Sequence, residues 1–321
     1  MRQLLCCLLL VAEIAGTAAA SELSDRRAAV WRAFEFIYAT ASGETAFSDH
    51  GDDFLWCFYS IANTSSDRGL RTKALGAGRT LARKWRQAHP RVPKDADASD
   101  VAHLVMGAYA ADKLGFRDAG YEAELRRAAR QFSARDYLGF DAPHEPPDPN
   151  DPDRYNTWYE ALTYTFFGDA YGIRLGARYC DVIQWRSRMQ PYDAQDDSLE
   201  FDIFYAVTHV VYTLNGYGAR RVERSLLPQE TAFLKAKMSR SIVQGDPEMV
   251  GESLDCLKAL DLENDPLVRQ GTEYLLTTQR PDGTWAGDAD DIYTAYHSAW
   301  TGLDGLRDYR FHGKVKRIPS R

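Results

Sequence analysis

Six histidine and glutamate side chains recur at regular intervals along this sequence, and together they could hold a metal ion. They are 43 to 57 residues apart: His50, His103, Glu160, His209, Glu252 and His297. Imidazole is a good ligand for Zn, Cu and Fe, and a carboxylate beside it can act as a ligand or a general base. The spacing predicts a divalent transition-metal site with ligands at His50, His103, His209 and His297. Glu160, Glu252 and Asp202 are the candidate catalytic carboxylates.

The same residues allow two other interpretations. They could form a metal-free acid–base set, or the histidines could be hydrogen-bonded core residues without a function. Asp52, Asp100, Asp202 and Asp291 lie where helices are expected to begin, so each could be a helix cap. The sequence lacks the contiguous patterns H-E-x-x-H and C-x-x-C, so the fold itself must assemble any metal site.

Two kinds of helical segment alternate along the chain and would position these residues. One kind is amphipathic: 25–40, 68–88, 121–136, 173–189, 228–243 and 265–278. The other kind is apolar on nearly every side: 52–62, 99–114, 155–171, 201–216, 247–260 and 291–306. A helix that is apolar all round must be buried all round. Ser99, Asp202 and Asp246 are the expected N-caps of the apolar helices. Gly115, Gly172, Gly216 and Gly305 are expected at their C-terminal ends.

The alternation predicts an all-α fold, a single (α/α)6 toroid of six helical hairpins over residues 21–310. The apolar helices would form the inner ring and bring their polar residues to one central cavity. An open superhelix of the same hairpins is the alternative, but it would leave one face of the inner helices in water. Residues 311–321 are expected to be a solvated tail.

Two segments near the C-terminus resemble known toroid proteins. Arg269, Gly271, Tyr274-Leu275, Gln279, Gly283 and Trp285 resemble the QW repeat of squalene and oxidosqualene cyclases. Tyr296-His297-Ser298-Ala299-Trp300 resembles the segment of protein prenyltransferase β subunits that carries their zinc-binding histidine. The resemblance implies the toroid fold, a zinc ligand at His297 and an isoprenoid-like substrate. The prenyltransferase zinc site also needs an aspartate and a cysteine separated by one residue, whereas Asp255 and Cys256 are adjacent here.

Composition and the N-terminal segment indicate in which compartment the protein acts and which partners it can bind. The net charge of −7 and the lack of a basic stripe argue against a nucleic-acid surface. Residues 1–20 combine Arg2, an apolar run and Ala18-Ala19-Ala20, which predicts a signal peptide and a secreted or periplasmic protein. No segment is long enough to cross a membrane. The remaining cysteines, Cys57, Cys180 and Cys256, allow at most one disulfide.

These observations favour an exported metal-dependent enzyme acting on an apolar, isoprenoid-like small molecule or lipid. A polysaccharide lyase or glycoside hydrolase using carboxylate, histidine and tyrosine side chains is the first alternative. A non-enzymatic binding module is the second, and it predicts that the polar residues do not converge.

Overall fold

The computed structural model describes residues 2–193, 197–287 and 291–320, with side chains from residue 22 onward except that of Asp197. The described chain is mostly helical and has very little strand, which confirms the all-α prediction. The helices are α1 (Arg2–Ser42), α2 (Glu44–Thr64), α3 (Arg68–Ala88), α4 (Ala98–Lys113), α5 (Ala119–Ala129), α6 (Ala134–Leu138), α7 (Arg154–Tyr171), α8 (Tyr179–Ile183), α9 (Asp197–Asn215), α10 (Pro228–Gln244), α11 (Pro247–Ala259), α12 (Pro266–Thr278) and α13 (Ile292–Leu306). Two short strands, β1 (Arg221–Val222) and β2 (Lys314–Val315), pair in parallel. The predicted signal peptide at residues 1–20 lies outside the described side chains and stays a prediction.

Burial follows the two kinds of segment that the sequence distinguishes. Helix α11 is buried at every position from Met249 to Ala259, so it has no solvent face. Helix α3 instead buries one stripe, which includes Leu70, Ala74, Leu81 and Trp85, and exposes the opposite face. We call α2, α4, α7, α9, α11 and α13 the inner helices, and the others the outer helices.

The inner helices contact one another in chain order, and the last returns to the first. Helix α2 packs against α4, α4 against α7, α7 against α9, α9 against α11 and α11 against α13. Helix α13 then contacts α2, and the Tyr296 hydroxyl donates a hydrogen bond to Asp53 Oδ2 at 3.0 Å. The amphipathic α1, α3, α10 and α12 pack on the outside of this series.

Helices α11 and α13 approach each other backbone to backbone. A Cβ atom on Gly251 would lie 2.7 Å from the carbonyl carbon and oxygen of Thr301, and one on Gly305 would lie 2.8 Å from the Gly251 oxygen. Only glycine therefore fits at these positions. This corrects the prediction that Gly305 caps the end of α13: it lies within the helix and is a packing residue.

The segment that resembles a QW repeat joins α12 to α13 and ties both to α1. The amide of Gln279 donates hydrogen bonds to the carbonyls of Ala29 and Gly283, and its oxygen accepts from Arg32. Trp285 donates to the Leu275 carbonyl at 2.9 Å, and its ring lies against Gly302, where a Cβ would come within 2.4 Å. These contacts join the last hairpin to the first.

Several predicted boundaries need correction. The N-cap of α4 is Asp97, whose carboxylate accepts from the Asp100 amide, and not Ser99. Asp202 lies inside α9, which begins at Asp197, so it does not cap that helix. The predicted outer helix at 173–189 is only the short α8 followed by a 3-10 turn. Asp246 caps α11 and Asp291 caps α13, as the sequence indicates.

Part of the predicted tail at 311–321 pairs with the rest of the chain, although most of its described residues are exposed. Strand β2 pairs with β1, and the Arg310 amide donates to the Thr64 carbonyl at 2.7 Å. The ring of Tyr309 lies against Gly218, where a Cβ would come within 2.2 Å. This segment therefore crosses the C-terminal ends of α2 and α9.

The described residues bear on two further predictions, one about disulfides and one about membrane-spanning segments. Cys57, Cys180 and Cys256 are all free thiols. None of the described helices has the length and apolar character needed to cross a membrane.

A Gly251→Ala substitution should lower the free energy of unfolding by about 1–3 kcal/mol, because the added methyl group collides with the α13 backbone. Chemical denaturation measures this change. The matched control is Gly76→Ala on α3, where an added Cβ meets nothing within 4 Å. It should raise stability by about 0.5–1 kcal/mol, since glycine is the poorer helix former. Equal effects at the two sites would contradict the close α11–α13 contact.

Candidate functional site

Three side chains from α11 and α13 meet beside a cavity that residues of the inner helices line. Glu248 and Glu252 are four residues apart and so lie on one face of α11. His297 reaches them from the facing side of α13. One potential ligand atom from each of the three residues lies within 4.8 Å of the other two. We call Glu248, Glu252 and His297 the Glu–Glu–His cluster.

Polar atoms in the cluster lack hydrogen-bond partners although they are buried. Among the described residues, Oε2 of Glu252 and Nδ1 of His297 make no hydrogen bond. The His297 Nδ1 atom does lie 3.1 Å from Oε1 of Glu248, but as an ion pair without hydrogen-bond geometry. Leaving such atoms unsatisfied in an interior is costly. A cation held between these ligands would satisfy them.

The charges of the cluster depend on one another. Burial raises the pKa of Glu252 to about 8, although the charge of His297 opposes this. Burial alone would lower the pKa of His297, but Glu248 and Glu252 outweigh it and raise that pKa to about 9. Burial would also raise the pKa of Glu248, yet contacts with His297 and Tyr205 hold it below its ordinary value. Without a metal, the cluster is a protonated imidazole between two carboxyl groups.

Aromatic neighbours fix the orientation of these side chains. The hydroxyl of Tyr205 donates a short hydrogen bond to Glu248 Oε1. The ring of Tyr293 stacks on His297 with a centroid distance of 5.1 Å and an interplanar angle of 14°. Ligands held by such partners need little reorganisation when an ion binds.

His209 lies beside the cluster as a neutral imidazole. Its Nδ1 atom is 2.8 Å from the carbonyl oxygen of Tyr205, which can only accept, so Nδ1 carries the proton. Burial lowers the pKa of His209 to about 4. The Nε2 atom therefore keeps a free lone pair. His209 lines the same cavity but is not one of the three grouped residues.

His103 and Asp52 form a separate pair in the cavity wall. The Nδ1 atom of His103 lies 2.8 Å from Asp52 Oδ2, and this hydrogen bond raises the pKa of the imidazole. Glu160 lines the same cavity, and burial raises its pKa. His50 lies at a kink in α2, where its ring packs against Tyr293 and Tyr296. The predicted helix begins at residue 52, whereas α2 begins at Glu44 and so contains His50.

Most of the predicted site residues line one cavity of about 340 Å³. His50, His103, Glu160, His209 and His297 all line it. A smaller adjoining space of about 90 Å³ is lined by Glu252, together with His209 and His297. The walls carry many aromatic rings: Trp56, Tyr159, Tyr164, Phe167, Tyr205, Tyr217, Tyr293 and Trp300. The polar residues therefore converge, as the enzyme hypotheses require.

The cluster itself differs from the predicted ligand set. Glu252 and His297 are in it, while His50, His103 and His209 are not. Asp202 lies on α9, where its charge helps to raise the pKa of Tyr159, after the larger effect of burial. Glu248 is the residue that the sequence interpretation missed. Its spacing of four from Glu252 on a fully buried helix is the signal that could have found it.

Comparison with known proteins gives one partial match. Residues 192–299, about a third of the chain, are similar to a family described as a domain of unknown function (DUF6895). The matched stretch contains His209 and the whole Glu–Glu–His cluster. The comparison with curated proteins found no match, and neither did the comparison with solved structures.

Without metal, the free energy of unfolding should fall by about 1–2 kcal/mol as the pH rises from 6.5 to 8. In this interval folded His297 and Glu252 keep protons up to about pH 9 and pH 8, whereas their ordinary pKa values are 6.5 and 4.5. The folded state therefore binds more protons than the unfolded state, so stability is lost as protons leave. Urea denaturation in a chelating buffer measures the slope.

Glu252→Gln should make this slope shallower, because glutamine does not titrate. Glu273→Gln, at an exposed position on α12, should leave the slope unchanged. A free energy of unfolding that rises over the same pH range would contradict the charge states described here.

Proposed function

We propose that this protein is an exported metal-dependent enzyme of the (α/α)6 toroid class, with a metal centre at Glu248, Glu252 and His297. The observation that carries the proposal is the meeting of three potential ligand atoms within 4.8 Å of one another. Two of the three residues have buried polar atoms that no described residue satisfies. The toroid assignment is supported by the contacts that lead from α13 back to α2.

The donor set fits a divalent ion in charge and in number. Two carboxylates and a neutral imidazole balance a charge of +2. Three protein ligands leave a position for water or substrate, as in catalytic zinc sites. Carboxylate oxygen and imidazole nitrogen together suit Zn²⁺, Fe²⁺ or Mn²⁺. A bound ion of this kind would polarise a substrate group or lower the pKa of a bound water.

The chain's own residues would provide binding and proton transfer. The aromatic walls would enclose a small molecule with a largely apolar surface, in keeping with the resemblance to isoprenoid enzymes. His209 presents an unprotonated Nε2 beside the cluster and is suited to accept a proton. The Asp52–His103 pair would act from α2 and α4.

A metal-free acid–base enzyme acting on a saccharide is the second candidate. It is favoured by the Asp52–His103 hydrogen bond and by Glu160, since His103 and Glu160 line one aromatic-walled cavity. In that case the Glu–Glu–His cluster would be an ion-pair network only.

Untagged protein should contain close to one equivalent of Zn, Fe or Mn by elemental analysis, or take it up after chelation and reloading. Glu252→Gln and His297→Gln should each weaken binding at least ~100-fold, since even loss of a ligand's outer partner costs about 10–100-fold. Isothermal titration of the reloaded ion measures the affinity, and circular dichroism checks the helix content.

The matched controls are Glu160→Gln and His103→Gln, which make the same substitutions elsewhere in the cavity wall. Both should bind the ion like the unaltered protein. If the controls also lose the ion, the ligand set is the wider one that the sequence predicts. If the unaltered protein binds no ion after reloading, the metal proposal is wrong and the saccharide alternative gains.

A further inference from the structure

The cavity wall contains another carboxylate, Asp53, which is not part of the Glu–Glu–His cluster. Asp53 lines the cavity and accepts one hydrogen bond, from the Tyr296 hydroxyl to Oδ2. Burial and the nearby charge of Asp52 both disfavour the ionised form of this side chain, raising its pKa to about 6. Among the described residues that line the cavity, no lysine or arginine compensates this carboxylate.

Other buried carboxylates in this protein do have a cationic partner. Glu230 is bound by Arg186 at 2.9 Å and by the Tyr192 hydroxyl at 2.6 Å. Glu200 is bound by Lys237 at 2.8 Å. At these two sites a fixed cation compensates the buried carboxylate.

The cavity contrasts with those two sites. The described residues that line it include no lysine and no arginine. The positive charges closest to Asp53 are those of His297 and His103. Each of these already contacts its own carboxylate, Glu248 and Asp52 respectively. An anionic group such as a diphosphate would therefore meet carboxylates with few opposing charges.

Aromatic rings surround the same carboxylate. Tyr296 holds Asp53, and Tyr293 packs against Tyr296 with ring centroids 5.5 Å apart. One face of the Tyr293 ring stacks on His297, but the residue is still 41% exposed. The faces of such rings attract cations, most strongly where water is excluded. A carboxylate within an aromatic wall is the arrangement that recognises alkylated ammonium groups.

We propose that the central cavity binds an organic cation, with an alkyl- or quaternary-ammonium group held between Asp53 and the ring of Tyr293. This names the substrate class of the proposed enzyme and so rests on the proposed function for its catalytic meaning. The binding itself does not depend on a metal ion. The cation would supply an opposite charge to Asp53, while its methyl groups would contact the rings.

Choline and 3,3-dimethylbutan-1-ol provide the test, because they have the same shape and differ in charge. Both are titrated into chelator-treated protein at pH 7.5, with binding followed by calorimetry. Choline should bind at least about tenfold more tightly than the neutral alcohol. Equal affinities, or no binding of choline, would overturn the proposal. Tighter binding of pyrophosphate or cellobiose would also overturn it.

Variants locate the contact. Asp53→Asn should weaken choline about tenfold and leave the neutral alcohol unchanged, whereas Asp49→Asn, at an exposed position on the same helix, should change neither. Tyr293→Phe keeps the ring and should retain choline binding, while Tyr293→Leu should weaken it severalfold. Thermal unfolding of each variant checks that the fold persists. If Asp53→Asn binds choline like the unaltered protein, the assignment is wrong.

The two proposals can fail separately. The choline titration uses metal-free protein, so its outcome does not depend on whether the Glu–Glu–His cluster holds an ion. Loss of metal binding in Glu252→Gln, in turn, does not depend on which organic ligand the cavity accepts.

Discussion

The close contact between α11 and α13 is the constraint on which the candidate site depends. Gly251 and Gly305 let the two backbones approach within the space that one Cβ would occupy. Only at this separation can the short glutamate side chains of α11 reach His297 on α13. If α11 and α13 were further apart, Glu248 and Glu252 would bind water and would not contact His297. The site is thus a consequence of backbone packing as much as of its own side chains.

Contacts of the first helices with the last ones support the packing of α11 on α13. Gln279 and Trp285 tie α12 and the turn before α13 to α1 and Gly302. At the other end, Lys258 donates to the carbonyls of Asp304 and Arg307 at 2.8 and 2.7 Å. Arg307 in turn donates to Thr64 on α2. Hydrogen bonds therefore hold α13 at both of its ends, which restricts movement of His297 relative to α11.

Buried carboxylates have different partners inside and outside the cavity. Buried carboxylates outside the cavity, such as Glu200 and Glu230, are matched by lysine or arginine. In the cavity the partners are histidine and tyrosine, whose protonation and hydrogen bonding can change. A buried ion pair of fixed charges contributes rigidity, whereas groups with shifted pKa values can exchange protons or accept a ligand. This difference separates the supporting charges from the candidate functional ones.

The sequence by itself determined the helical elements and their two kinds. Burial on every side of α11 and on one stripe of α3 follows from hydrophobic periodicity, which is local information. It also indicated that Glu252 and His297 belong to one site, because equivalent positions in successive hairpins must face the same cavity. Three predictions were wrong: a full outer helix at 173–189, Ser99 as an N-cap and Gly305 as a C-terminal cap. The role of Gly305 depends on its contact with the distant Gly251, which periodicity does not contain, whereas the cap of α4 is a local contact between Asp97 and Asp100.

Only the tertiary structure decided which polar residues meet. His103 pairs with Asp52 and His209 with the Tyr205 carbonyl, whereas Glu248 joins Glu252 and His297. These choices turn on distances of a few ångströms, set by the glycine contact between α11 and α13 and by the kink at His50. Residue type and spacing specify that a side chain enters the cavity. Which partner it finds there depends on how closely the helices pack, and this is a property of the whole fold.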